Sequence, residues 1–148
     1  TPTSNILGSG SGAPWFLLDL SRPLKPFIMQ ERFAPDFDEI KDTQNATVFM
    51  KDQYLYGIRY RGNWGYGLWQ QAVASKEALT ADNFQKAYSM MEAFKRDGGD
   101  PLGLRATHLV VDFSNRAAAE AILLKQNLTG GESNINYNRV KLIVCNWM

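Results

Sequence analysis

His108, Asp112 and Ser114 are the residue types of a nucleophilic triad, in which a hydroxyl attacks, an imidazole takes its proton and a carboxylate orients the ring. Their spacing works against that chemistry. His108 and Asp112 lie four apart on a strand pattern, so they share a face but stand roughly 13 Å apart by strand rise. Asp112 could orient His108 only through a sharp bend, and a structural histidine is the simpler reading. Cys145 follows an apolar run and reads as a buried small hydrophobe. A nucleophilic thiolate needs a base, and the chain's one His is the only candidate. Asp36, Asp38, Glu39 and Asp42 gather oxygen ligands suited to a hard cation. They lack the twelve-residue spacing of a calcium loop, with its Gly and terminal Glu, and read as a solvated loop. No catalytic, metal or cofactor site is expected, and the chain is not expected to be an enzyme.

Two further features invite a ligand. The run Gly8-Ser9-Gly10-Ser11-Gly12 has the composition of a phosphate loop, which needs a strand before it and a helix after it. Ala13-Pro14 and an apolar run follow instead, so residues 1–14 are expected to be a flexible segment. The second feature is aromatic and basic. Tyr54, Tyr56, Arg59, Tyr60, Arg61, Trp64, Tyr66 and Trp69 form a candidate interaction surface on a predicted hairpin. Such side chains can stack bases on a sheet, as in a single-stranded nucleic-acid-binding module. They also suit a half-buried sheet with Arg at its rim, or a protein interface, where Tyr, Trp and Arg are enriched.

The elements that would position these residues follow from hydrophobic period and breakers. Residues 15–20 form a nearly continuous apolar run, expected as a buried strand. Residues 27–33 alternate weakly and suit an edge strand, and 34–47 read as an acidic, turn-like loop. Residues 54–61 alternate clearly. Tyr54, Tyr56, Ile58 and Tyr60 fall on one face, Leu55, Gly57, Arg59 and Arg61 on the other. Gly62-Asn63 is a turn signal, so residues 64–73 are expected to return as the second strand. Thr80 is a good N-cap for a helix whose Phe84, Ala87, Tyr88, Met91 and Phe94 make one apolar stripe, stopped by Gly98-Gly99. A strand at 107–113, a helix at 115–126 capped by Ser114, and a strand at 139–147 follow. The strand–helix–strand tail calls for a parallel crossover. The expected fold is α/β (α+β): a mixed sheet flanked by two main helices, within one domain spanning 15–148.

Composition agrees with one such domain. The 148 residues are 45% hydrophobic and 21% charged, enough for a real core. Sixteen basic side chains face fifteen acidic ones. That balance argues against a dominant electrostatic partner such as duplex DNA, and weighs against the nucleic-acid reading of residues 54–69. One Cys excludes an intrachain disulfide. No apolar stretch is long enough to span a membrane, and no leader pattern opens the chain, so no membrane partner is expected.

Three longer segments carry a family likeness: PWFLLDLSRPLKPFIMQER at 14–32, VFMKDQYLYGIRYRGNWGYGLWQQAVAS at 48–75 and LTADNFQKAYSMMEAFKRDGGDPLGLRATHLVV at 79–111. The chain resembles the major head subunits of Mu-like phages and prophages, the gene product T family of major capsid proteins. That resemblance implies a Hong Kong 97-like capsid fold: an axial domain with part of the peripheral-domain sheet. It implies a structural protein that self-associates into an icosahedral phage shell enclosing DNA. The implied partners are other copies of the subunit, in hexamers and pentamers of the full-length protein, with packaged DNA met only non-specifically. The implied place is the virion capsid, assembled in the bacterial host cytoplasm, and this fragment alone is expected to be monomeric. The family places the 79–111 segment before the 14–32 and 48–75 segments. The resemblance therefore implies a circular permutation of the family's C-terminal part, with its junction near 75–79.

Overall fold

A computed structural model describes residues 4–42, 45–51, 53–128 and 130–148. Parts of the expected flexible segment (1–3) and of the expected acidic loop (43 and 44) lie outside the described residues. The chain folds as two units: Phe27–Tyr66, and Thr1–Pro26 together with Gly67–Met148.

The larger unit is built on a five-stranded mixed sheet. Its strands in chain order are β1 (Ile6–Leu7), β2 (Trp15–Leu18), β5 (Ala72–Ser75), β6 (His108–Asp112) and β7 (Lys141–Cys145). In space they run β1-β5-β2-β6-β7. β2 is antiparallel to both of its neighbours, β5 and β6. The outer pairs β1–β5 and β6–β7 are parallel. Joining β6 to β7 through helix α3 (Arg116–Leu123) gives the parallel pairing that a strand–helix–strand crossover produces. The mixed sheet and two flanking helices are as expected.

Alternation sorts the strand residues. Trp15, Leu17, Val73, Leu109 and Val111 point to one face and are fully buried. Both α3 and helix α2 (Ala81–Glu92) contribute to the same core, α2 through Phe84, Ala87, Tyr88 and Met91, α3 through Ala119, Ile122 and Leu123. The α2 residues recur at helical spacing, so a single stripe meets the sheet. Thr80 accepts the Asn83 N–H at 3.2 Å and caps α2, as expected. The helix ends at Glu92, before the basic pair Lys95 and Arg96. The opposite sheet face carries a row of apolar residues in register, Ile6, Ala74, Phe16, Val110 and Ile143, with Leu18 and Ala72 next to it.

Two aspartates end central strands with one device. Asp19, after β2, accepts the Ser21 N–H at 2.9 Å and the Ser21 hydroxyl at 2.5 Å. Asp112, at the end of β6, accepts the Ser114 hydroxyl at 2.6 Å and its N–H at 3.3 Å. Ser114 was the expected cap; the structure makes it the donor and Asp112 the acceptor that starts the turn at Phe113–Asn115. At the far end of α3, the Asn134 amide donates to the carbonyls of Ile122 and Lys125, both at 2.8 Å. The Asn-rich loop thus satisfies carbonyls that a helix terminus leaves open.

The expected flexible segment is structured where it is described. β1 pairs with β5, and the glycine run wraps the connection after β5. The Ser9 N–H reaches Glu77 Oε1 at 3.0 Å, and the Gly12 N–H reaches the Lys76 carbonyl at 2.9 Å. The Trp15 indole donates to the Glu77 carbonyl at 2.8 Å. The glycines are there because the loop comes so close: a Cβ on Gly10 would lie 2.5 Å from the Lys76 carbonyl oxygen.

The second unit is a ribbon. β3 (Phe27–Ile40) and β4 (Leu55–Tyr66) pair antiparallel from Phe27–Tyr66 to Ile40–Leu55, and a short helix α1 (Ala46–Lys51) lies in the chain between them. The register shifts twice on the β3 side, between Glu31 and Phe33 and between Phe33 and Asp36. Each shift is a bulge with one extra residue, and the second contains Pro35, which has no N–H to give the ladder. Two expectations are corrected here. Residues 34–40 are strand rather than loop. Gly62-Asn63 is not a turn, because β4 runs straight through it: its partner lies upstream in β3, not downstream in 64–73.

Candidate assembly surface

Apart from half-buried Ile28, every residue of β3 and β4 is exposed. A two-stranded ribbon without a buried face is marginal on its own, so its side-chain distribution bears directly on function. β4 has no bulge, and alternation along it is unbroken. Tyr56, Ile58, Tyr60, Trp64 and Tyr66 therefore share one face, and Arg59 and Arg61 take the other. This is the division of aromatics and Arg between two faces that the period-two pattern of 54–61 calls for.

The aromatic face extends onto β3. Phe37 stacks on Tyr56 with centroids 6.0 Å apart, and Phe27 meets Tyr66 edge-on at 6.0 Å. Ile58 is 72%, Trp64 73% and Tyr66 86% exposed. Phe27, Met29 and Phe37 were not among the expected site residues. The weak alternation of 27–33 was the available signal for Phe27 and Met29, while the two bulges move Phe33 to the other face and bring Phe37 back. On the arginine face, Arg59 pairs with Asp38 at 3.6 Å, and Arg61 lies 5.8 Å from the Phe33 ring centroid. Residues 27–66 hold six acidic and five basic side chains, so the ribbon offers no cationic track to a phosphate backbone.

Two of the eight expected residues fall outside β4. Tyr54 precedes it and is exposed. Trp69 belongs to the larger unit, on the 3₁₀ turn Trp69–Gln71, where its ring meets Phe94 edge-on at 5.4 Å. It is not part of a hairpin surface.

The residues with catalytic potential stay apart. His108 Nδ1 lies 2.8 Å from the Thr107 hydroxyl, while Asp112, at the other end of β6, engages Ser114. The Ser114 hydroxyl holds the Asp112 carboxyl below the usual carboxylate range, against the opposing effect of burial. Burial alone would push Asp19 up. Hydrogen bonds from Ser21 and the Arg105 N–H, with the charge of Arg22, outweigh it and leave the carboxyl below its ordinary value. Both aspartates are thus ionised structural acceptors. Cys145 is half-buried on β7 and free. Asp36, Asp38 and Glu39 lie along β3, and among the described residues no cluster of His, Cys, Asp and Glu could hold a metal ion.

The model of the family described as the Mu-like prophage major head subunit gpT matches residues 1–148. The chain is 39% identical over 151 residues to the major capsid protein of Escherichia phage Mu, covering 99% of this chain and 50% of that protein. It is 46% identical over 127 residues to the Mu-like prophage FluMu major head subunit of Haemophilus influenzae, covering 83% and 41%. The chain therefore spans about half the length of the curated relatives it matches. Among solved structures, the procapsid of bacteriophage JBD30 matches with a TM-score of 0.84 and 41% identity, over all of this chain and 50% of that one. The JBD30 capsid matches at 0.78 and 20% identity, over 95% and 51%, a likeness of fold. These neighbours give the nucleic-acid-binding alternative no support. Nor do they show a circular permutation, since the family model matches 1–148 as one span. With a family match running the whole length and a capsid fold beneath it, the chain belongs to the Mu-like prophage major head subunit family.

Proposed function

We propose that this chain is the part of a phage major head subunit that joins neighbouring copies into the shell. One observation carries the reading: the ribbon places Phe27, Phe37, Tyr56, Ile58, Trp64 and Tyr66 on one solvent-facing side, with nothing in its own unit to cover them. Exposed apolar surface of this extent marks a protein interaction site. In a shell of identical subunits its partner is another copy, and the contacts repeat by symmetry. The larger unit is the axial-type body, and the ribbon is the portion of peripheral sheet. Hexamers and pentamers are the assemblies this implies. The role is structural rather than catalytic, with packaged DNA touched without sequence preference and assembly completed in the host cytoplasm. The isolated 148-residue piece is monomeric, because few symmetric contacts survive without the rest of the subunit.

The test is assembly of the full-length subunit, followed by light scattering and electron microscopy, with Ile58→Glu and Trp64→Glu introduced separately. The reading expects shells from the parent and soluble, folded, unassembled subunits from the variants. A parent that stays monomeric under every assembly condition, or variants that assemble normally, would overturn it.

A further inference from the structure

Gln71 closes the 3₁₀ turn before β5, and its side chain is fully buried. Its backbone carbonyl accepts the Asp19 N–H at 2.9 Å. Its side-chain amide has no protein partner at either Oε1 or Nε2, and neighbouring Gln70 Oε1 is likewise buried without one. Both glutamines line a partly open pocket of about 80 Å³, together with Arg22, Leu68, Leu102 and Leu104. Arg22 is anchored there: its Nη2 donates to the Leu102 carbonyl at 2.6 Å and the Gly103 carbonyl at 3.3 Å.

Buried amides are satisfied by protein or by ordered water almost without exception. A water site needs room and partners. The room is present, since about 80 Å³ exceeds several-fold the ~10–15 Å³ that one molecule occupies on this measure. The partners are present too: two carbonyl oxygens and one NH₂, with a guanidinium beside them. Beyond the Arg22 guanidinium, which donates to the Leu102 and Gly103 carbonyls, the rest of the lining is three leucines.

We propose that this pocket is a built water site, holding at least two ordered molecules that bridge Gln71 Oε1 and Nε2 to Gln70 Oε1. The bridge joins the two glutamine side chains of the 3₁₀ turn, beside the 102–103 carbonyls that Arg22 holds. Glutamine at 71 is then explained by what its amide offers to water, since a residue at 0% exposure on a core element is otherwise apolar.

The experiment is an experimental structure of the chain at a resolution that shows ordered water, paired with nuclear Overhauser measurements from the Gln71 side-chain amide protons. The expected result is density within about 2.7–3.2 Å of Gln71 Oε1 and Nε2, together with cross-peaks to a slowly exchanging water. A dry pocket overturns the proposal, as does a Gln71 amide turned onto protein carbonyls or N–H groups with no water cross-peak. Gln71→Met adds a second reading: the density beside residue 71 should vanish while that beside Gln70 weakens. Persistence of the full density in the Met variant would also overturn the assignment to Gln71.

Discussion

Gly10 passes so close to Lys76 that a side chain on it would press against a backbone carbonyl, not against a movable side chain. Gly10→Ala must therefore push the strap off the β5–α2 connection, and with it the Ser9–Glu77 and Gly12–Lys76 hydrogen bonds. Overpacking of this kind costs about 1–3 kcal/mol. Urea denaturation should show that loss for Gly10→Ala and almost none for Gly98→Ala, where an added Cβ meets open space. Equal midpoints for the two would disprove the strap.

The two crossings between the units lie side by side, with the Gly67 N–H on the Pro26 carbonyl at 2.9 Å. A short turn replacing residues 27–66 should therefore close without strain. The shortened protein is expected to unfold in one cooperative transition with an intact five-stranded sheet, checked by calorimetry and circular dichroism. A molten product would show that the larger unit depends on the ribbon.

Asp19 sets a pH dependence. Its carboxyl lies below its unfolded value, so the stability it adds is complete above about pH 4 and is lost as pH falls through the folded value. Asp19→Asn cannot titrate. The variant should be less stable at neutral pH, and the gap to the parent should narrow as the solution is acidified. A gap constant from pH 7 to pH 2 would rule out the ionised acceptor.

In the core, Leu109→Ala removes a fully buried side chain of β6 and should cost about 2–5 kcal/mol. Ile143→Ala, on the opposite and more open sheet face, should cost far less. Thermal melts of the two separate a one-sided core from a two-sided one.

What the sequence foretold divides along burial. β2, α2, β6 and β7 were legible because each pairs with a core that filters its residues: Trp15 and Leu17 go in, Phe84 to Met91 recur at helical spacing. The ribbon has no such filter. Asp36, Asp38 and Glu39 sit in a strand because water meets both of its faces, so their charge says nothing against strand. Gly62-Asn63 signals a turn only when the next segment can pair back, and here the partner comes from upstream. Gly8–Gly12 looked like linker because close backbone approach and chain flexibility both call for glycine. The aromatic surface was half legible: the alternation of 54–61 already separates Arg59 and Arg61 from the tyrosines, while placing Trp64 and Tyr66 on the same face needed the strand carried through residue 66.

Pro35 has a further consequence. A long, exposed strand is ordinarily a template for a foreign strand, and copies held at high density in a growing shell would be prone to zip into fibres. Sitting in a bulge and lacking an N–H, Pro35 interrupts the β3 edge about midway along its length. On the proposed reading, copies would then meet through side chains on the ribbon's faces, a contact with a defined end, instead of through backbone ladders that could extend indefinitely.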